Sequence, residues 1–117
     1  MKQIKIGNPV MPPVAHIGVV VGDLDKAVDY YTLMFGLGAF RFSSARLNPD
    51  INAFGHGPLT LKLAHCDMGN MTFEMMQVVE GDSAQSGFLR SNGDGIHHLG
   101  FKVNDLNEWV LKMENEG

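Results

Sequence analysis

The pattern of hydrophobic and polar positions predicts short strands separated by two amphipathic helices. Residues 16–21 form an apolar, β-branched run that ends at Gly22, which is typical of a buried strand. Apolar residues at helical spacing follow over 24–35, where Asp23 is placed to act as the N-cap and Gly36 to end the helix. The helix is expected to cover one face of the strand with Leu24, Ala27, Val28, Tyr31 and Phe35.

Three further strands are predicted over about 39–47, 59–65 and 72–79. The link 48–58 is rich in proline, glycine and asparagine, and the turn before the last of these strands is predicted over 67–70. A polar segment, 80–95, follows and contains a short helical patch near 86–90. The first part of the chain is therefore interpreted as one β-α-β-β-β module.

The opening unit of this module occurs twice. The sequence HIGVVVGDL, at 16–24, returns 82 residues later as HLGFKVNDL, and histidine, glycine, valine, aspartate and leucine recur in register. The second copy predicts a strand over 96–103 and a helix over 106–116 with Asp105 as its N-cap. Each copy opens with an imidazole on a strand, so pairing of the copies could bring His16 and His98 together.

Composition narrows the class of protein. The 117 residues are 44% hydrophobic and 19% charged, as in an ordinary globular domain, and the net charge of −4 argues against a nucleic-acid partner. The longest apolar stretches are the length of strands, so no membrane span is predicted. Cys66 is the only cysteine and cannot form an internal disulfide, which fits a cytoplasmic location. The proline-containing start, 1–13, is interpreted as an extended N-terminal arm rather than a signal peptide.

Glu74 is the third candidate ligand. It lies on the strand predicted over 72–79, where Met76 and Val78 share its face, and a carboxylate among apolar neighbours is costly unless a cation or hydrogen bonds compensate it. Two imidazoles and one carboxylate suit a divalent first-row metal ion, with positions left open for water or substrate.

The other histidines are given lesser roles. His97 is expected to point away from the face of His98 and to be structural or exposed to solvent. His65 beside Cys66 could suggest a second metal site, but adjacent strand residues face opposite ways, so none is expected there. His56 lies in the link 48–58 and is interpreted as a surface residue, with a substrate contact as the alternative.

The module and its motifs resemble the vicinal oxygen chelate superfamily, which includes glyoxalase I, methylmalonyl-CoA epimerase, extradiol dioxygenases and drug-resistance proteins. FEMMQ at 73–77, FL at 88–89 and GIHHLGF at 95–101 are most similar to the methylmalonyl-CoA epimerase branch. The resemblance covers about 14–117 and implies a single glyoxalase-like α+β domain. Its paired β-α-β-β-β modules, at 14–80 and from 95 onward, are expected to form a curved mixed sheet around a metal cleft, with the second module truncated after its helix at 117.

The resemblance also implies a ligand set. His16, Glu74 and His98 match the family's ligand positions, for a divalent ion such as zinc, nickel, cobalt, manganese or iron(II). The family's fourth ligand, a glutamate on the last strand, would lie beyond Gly117. The catalytic glutamate of the epimerase branch has no counterpart in 39–46, which contains no carboxylate, so no catalytic residue is assigned.

The function that the resemblance implies is that of a metal-dependent isomerase or lyase that stabilises an enolate, similar to methylmalonyl-CoA epimerase or lactoylglutathione lyase. The expected substrate is a small molecule, such as an acyl-CoA or another carbonyl or acid compound, and the expected assembly is a homodimer. Two alternatives stay open: an extradiol-type ring-cleaving dioxygenase, which also uses two histidines and a carboxylate, and a non-catalytic module that binds small molecules such as drugs.

Overall fold

The computed structural model describes residues 11–47 and 58–117, which form one five-stranded sheet and three helices. In chain order the elements are β1 (His16–Val20), α1 (Leu24–Phe35), β2 (Arg41–Leu47), β3 (Leu59–Met68), β4 (Met71–Glu80), α2 (Ala84–Asn92), β5 (Gly95–Gly100) and α3 (Leu106–Glu116). The predicted α+β class and the order of elements are confirmed. Most of the predicted arm, and the link 48–57 with His56, lie outside the described residues.

Several element ends differ from the sequence prediction. β3 continues to Met68, because it pairs with β4 along a long hairpin, whereas β5 ends at Gly100 rather than near 103. The helical patch predicted near 86–90 is a nine-residue helix, α2, whose N-cap Ser83 accepts a hydrogen bond from the backbone N–H of Ser86. The hydroxyl of Ser86 in turn accepts from the backbone N–H of Ser83, which forms a complete capping box.

The sheet brings the two copies of the repeat side by side. Its strand order is β2-β3-β4-β1-β5, so β1 lies between β4, with which it runs parallel, and β5, with which it runs antiparallel. β2, β3 and β4 are joined by antiparallel pairing. The predicted mixed sheet is therefore confirmed, and the histidine-bearing strands of both copies are direct neighbours at one side of it.

The core lies between the sheet and α1. Asp23 caps the helix by accepting a hydrogen bond from the backbone N–H of Lys26 at 3.1 Å. Leu24 is fully buried, and the cluster around it contains Val19, Val21, Ala64, Cys66, Phe73 and Met75. The predicted burial of Phe35 is wrong: the ring of Tyr31 occupies the place against Phe73, so Phe35 packs outside on Tyr31 and stays largely exposed.

The opposite face of the sheet carries His65 and Glu74 beside buried apolar side chains such as Val20 and Met76. Residues alternate between faces along a strand, so the buried Ala64 and Cys66 on β3 leave His65 on the other side. Burial raises the pKa of the Cys66 thiol, with a further contribution from the negative charge of Asp67. None of the described helices is long and apolar enough to cross a membrane.

Candidate metal centre

Three neighbouring strands bring the predicted ligands together. His16 comes from β1, Glu74 from β4 and His98 from β5, and Gly18 of β1 lies opposite both Glu74 and His98 in the two ladders. One donor atom from each of these side chains lies within 4.8 Å of the others. The two Nε2 atoms of the histidines are 3.1 Å apart, and Oε1 of Glu74 is 3.9 Å from Nε2 of His98.

The glycine of each repeat makes room for the histidine of the other copy. In the antiparallel ladder His16 pairs with Gly100, and Gly18 pairs with His98. A Cβ atom at Gly18 would overlap the ring of His98, and a Cβ atom at Gly100 would overlap the ring of His16. The motif of a histidine followed two residues later by a glycine thus explains how two imidazoles fit over one pair of strands.

A β-bulge shapes the second copy. The register of β1 and β5 shifts between Gly18, which pairs with His98, and Val19, which pairs with Ile96, so His97 is the extra residue. The ring of His97 packs edge-on against Phe88 of α2, with the centroids 5.2 Å apart, which agrees with the expected structural role. Its Nδ1 also lies 2.9 Å from Nδ1 of His98, a contact that simple alternation does not predict.

The surroundings of His98 favour its neutral form. Burial lowers the pKa of His98, the neighbouring imidazole of His16 lowers it further, and Glu74 partly opposes both effects. A neutral imidazole has a free lone pair on one ring nitrogen, which is the form that binds a metal ion. The site therefore offers His98 in the protonation state that a ligand needs.

Besides its predicted same-face neighbours Met76 and Val78, Glu74 has a histidine as a hydrogen-bond partner. His65 lies directly opposite Glu74 in the β3–β4 ladder, and its Nε2 is 2.7 Å from Oε2 of Glu74. The sequence analysis missed this pair because it considered each strand separately and did not pair the strand over 59–65 with the strand over 72–79. The turn residues are Gly69 and Asn70, so the hairpin pairs Met68 with Met71 and brings His65 opposite Glu74.

The sequence did contain a signal for that register. Glycine at the first central position of a two-residue hairpin loop fits a type II′ turn, and Gly69 has a φ of 64°. A turn centred one residue earlier would instead place Leu63 opposite Glu74. The rejected pairing of His65 with Cys66 as a metal site agrees with the structure, since Cys66 is fully buried in the core.

A cavity of about 470 Å³ lies against the cluster. His16, His65 and Glu74 form part of its wall, and Asp67 and Lys102 contribute a charge of each sign. Asp67 is also paired with Arg41 of β2, where the closest nitrogen and oxygen are 3.2 Å apart. The cavity therefore gives a small polar molecule access to His16 and Glu74.

The donor geometry suits a divalent ion. Two ligand atoms that each lie about 2.1 Å from a metal ion, at angles between tetrahedral and octahedral, are about 3.0–3.4 Å apart. The separation of 3.1 Å between the two Nε2 atoms falls in this range, and the oxygen of Glu74 lies somewhat farther away. Nitrogen and oxygen donors of this kind are those preferred by zinc, manganese, iron(II), cobalt and nickel.

The mixed sheet, the repeated strand with its histidine and the cavity beside His16 and Glu74 are typical of proteins built from paired β-α-β-β-β modules. The chain belongs to the Glyoxalase/Bleomycin resistance protein/Dioxygenase superfamily, whose family model matches residues 15–117. The resemblance seen in the sequence motifs is therefore confirmed.

Curated relatives include epimerases. The chain is 26% identical to the mitochondrial methylmalonyl-CoA epimerase of Homo sapiens over 102 residues, which are 86% of this chain and 52% of that protein. It is also 26% identical over 101 residues to the uncharacterized protein YqjC of Bacillus subtilis (strain 168), covering 86% of this chain and 64% of YqjC. The chain thus spans about half the length of the human relative.

Solved structures with the same fold include methylmalonyl-CoA epimerases. The methylmalonyl-CoA epimerase from Mycobacterium tuberculosis matches with a TM-score of 0.68 and 21% identity, over 97% of this chain and 69% of that one. A variant of the Streptomyces coelicolor enzyme in complex with 2-nitronate-propionyl-CoA matches with a TM-score of 0.67 and 22% identity, over 92% and 72%. At this identity the likeness establishes the fold.

Proposed function

We propose that this chain carries the metal site of an acyl-CoA isomerase of the methylmalonyl-CoA epimerase type, with His16, Glu74 and His98 as ligands. The observation that carries the proposal is the cluster of these three side chains, whose donor atoms lie within 4.8 Å of one another beside a cavity. The similarity to methylmalonyl-CoA epimerases supports the substrate class.

Each side chain has a defined task in this proposal. His16 and His98 donate imidazole nitrogens, and Glu74 supplies a negative charge that offsets part of the charge of the ion. A bound divalent ion would polarise the thioester carbonyl and stabilise the enolate, an effect worth several kcal/mol of the barrier. Lys102, in the cavity wall, presents an ammonium group that can attract the acid group of the substrate.

We expect the protein to act in the cytoplasm as a homodimer. Cys66 is a buried free thiol, as is usual in a reducing compartment. Apolar side chains such as Leu33 and Met34 on α1 are exposed, and surfaces of this kind favour association.

The first test is metal content. After purification and soaking in zinc, nickel, cobalt, manganese or iron(II), we expect about one ion per wild-type chain by mass spectrometry. His16→Ala, Glu74→Ala and His98→Ala should each lose most of it, because each removes one ligand. Lys62→Ala is the matched control, since Lys62 is an exposed residue of β3 remote from the three ligands in the ladder. A folded wild type that binds none of these ions contradicts the metal site and favours a metal-free binding module.

The second test is the reaction. The metal-loaded protein is expected to exchange the C2 proton of methylmalonyl-CoA with deuterium from the solvent, and NMR spectroscopy follows the exchange. Metal binding without exchange would contradict the epimerase assignment while it leaves the ligand set intact. Oxygen uptake with a catechol by the iron(II)-loaded protein would favour the dioxygenase instead, because two histidines and one carboxylate also form the iron site of such enzymes.

A further inference from the structure

His65 and Glu74 form the shortest polar contact described at the cluster. Nε2 of His65 and Oε2 of Glu74 are 2.7 Å apart, and only 25% and 17% of the two side chains are exposed. Since the residues face each other across β3 and β4, the contact follows from the register of the hairpin. A charge-assisted hydrogen bond at this distance and degree of burial fixes the orientation of the carboxylate.

The two oxygens of Glu74 have different surroundings. Oε2 accepts the hydrogen bond from His65, whereas Oε1 points toward Nε2 of His98 at 3.9 Å. A glutamate has three rotatable bonds, so an untethered carboxylate loses side-chain entropy when it binds an ion. The hydrogen bond to one oxygen removes much of that freedom in advance and leaves the other oxygen on the side of the two histidines.

His65 itself lies outside the ligand set. Among the described residues, the group whose donor atoms lie within 4.8 Å of one another comprises His16, Glu74 and His98. Ala64 and Cys66, the fully buried neighbours of His65, hold its strand against the core. The packing of β3 therefore places the His65 side chain on the face of the sheet that carries Glu74, within hydrogen-bonding distance of its carboxylate.

We propose that His65 is a positioning residue that holds Glu74 in the orientation required for metal binding. This inference rests on the proposed function, because it assigns Glu74 as a ligand. Hydrogen-bond partners of metal ligands contribute about 10–100-fold to metal affinity in other proteins, which sets the size of the expected effect.

The test compares two substitutions of His65. His65→Leu removes the donor, so nickel and cobalt are expected to bind about 10–100-fold more weakly by calorimetry. His65→Gln keeps an N–H that can reach the carboxylate and should retain most of the affinity. The visible absorption spectrum of bound cobalt should change in His65→Leu and return toward the wild-type shape in His65→Gln, while Lys62→Ala leaves both readouts unchanged.

A double variant separates positioning from a general structural effect. If His65 acts through Glu74, then His65→Leu should weaken nickel binding far less in a Glu74→Ala background than in the wild type. Equal weakening in both backgrounds would overturn the inference, as would a His65→Leu protein that binds nickel as tightly as the wild type. In these two cases the wild type still binds metal, so the proposed function survives.

The hydrogen bond also has a readout in the metal-free protein. The geometry requires a proton on Nε2 of His65, which ¹⁵N NMR of the imidazole detects directly. A neutral ring with its proton on Nδ1 would overturn the inference even if the metal site is confirmed. A wild type that binds none of the five ions would overturn both proposals, and the NMR result would then describe a structural hydrogen bond only.

Discussion

The two copies of the repeated unit share a histidine on a strand and a helix capped by aspartate, but they differ strongly in burial. In the first copy, Val19, Val20, Val21 and Leu24 are all buried, because β1 has a strand on each side and α1 packs against the sheet. In the second copy, Leu99, Phe101 and Leu106 are exposed, and every residue of α3 is exposed or half-buried. Within the described residues, β5 pairs with β1 alone. The unit thus encodes its own capped helix, whereas neighbouring elements decide how far its strand extends and what it buries.

Features that depend on sequence neighbours are nearly identical in the two copies. Asp23 and Asp105 have φ values of −141° and −138°, and each accepts a hydrogen bond at 3.1 Å from the backbone N–H three residues later. The site is also shared equally, since each copy supplies one histidine and one glycine to it. When equivalent residues of the two copies are substituted, the effects on stability should therefore differ between the copies. The effects on metal binding should be nearly equal.

The largest difference in stability between the two copies is expected when their equivalent leucines are substituted. Leu24 is 0% exposed and Leu106 is 67% exposed. Leu24→Ala should lower the free energy of unfolding by about 2–5 kcal/mol, because it leaves a cavity in the core. Leu106→Ala should change it by less than about 0.5 kcal/mol, as expected for a surface position. Urea unfolding followed by circular dichroism measures both variants.

The chain supplies a control for this comparison. Leu111→Ala removes another exposed leucine from α3 and should resemble Leu106→Ala. A large loss of stability in both α3 variants would contradict the comparison, because it would mean that the second copy is buried in solution, for instance against a second protein chain.

The next largest expected effect is a loss of metal affinity, which should be nearly equal in the two copies. Gly18→Ala and Gly100→Ala would each push the opposite imidazole, of His98 or His16, out of the cluster. We expect nickel affinity to fall by at least the roughly 10–100-fold seen when support for a metal ligand is lost. Isothermal titration calorimetry measures the nickel affinity of each variant, under conditions in which both variants are folded.

Gly87→Ala is the matched control, because a Cβ atom there would approach only the Arg90 side chain, at 4.0 Å. It lies in α2, where alanine is favoured over glycine by about 1 kcal/mol, so stability should rise and metal affinity should stay unchanged. Wild-type affinity in either Gly18→Ala or Gly100→Ala would contradict the assignment of the imidazole that it displaces.

The fold was predictable where short-range signals are strong. The predicted bounds of α1 and α3 agree with the structure, because an aspartate N-cap and a following glycine mark the ends of each helix. The end of β5 was not predictable in the same way. The alternation in the sequence continues past Gly100. A strand, however, lasts only as long as its partner strand, and Gly100 pairs with His16, the first residue of β1.

The site was predictable to the extent that it repeats. The repeat selected His16 and His98, and Glu74 was selected by its place on an apolar strand and by the family resemblance. The supporting contacts depend on register, which single-strand patterns do not contain. The register of β3 and β4 places His65 opposite Glu74, and a bulge brings His97 against His98.

The smallest expected effect is the loss of a helix N-cap. It should lower the global stability of the protein in one copy and only the local stability of the helix in the other. Asp23→Ala and Asp105→Ala each remove an N-cap, a change worth about 1 kcal/mol to a helix. For Asp23 the loss should appear in global unfolding, because α1 begins at the buried Leu24. For Asp105 it should appear as faster amide hydrogen exchange confined to α3, since an exposed helix can fray while the core stays folded.

Hydrogen exchange read by mass spectrometry distinguishes the two cases, and Asp23→Asn and Asp105→Asn serve as controls because asparagine caps nearly as well as aspartate. Equal losses of global stability from both alanine variants would show that α3 unfolds together with the core. The exposed apolar face of α3 would then have to be covered in solution. The difference in burial between the two copies would hold only for the isolated chain. Exchange confined to α3 would instead show that one sequence unit forms two helices whose stability is set by what each one packs against.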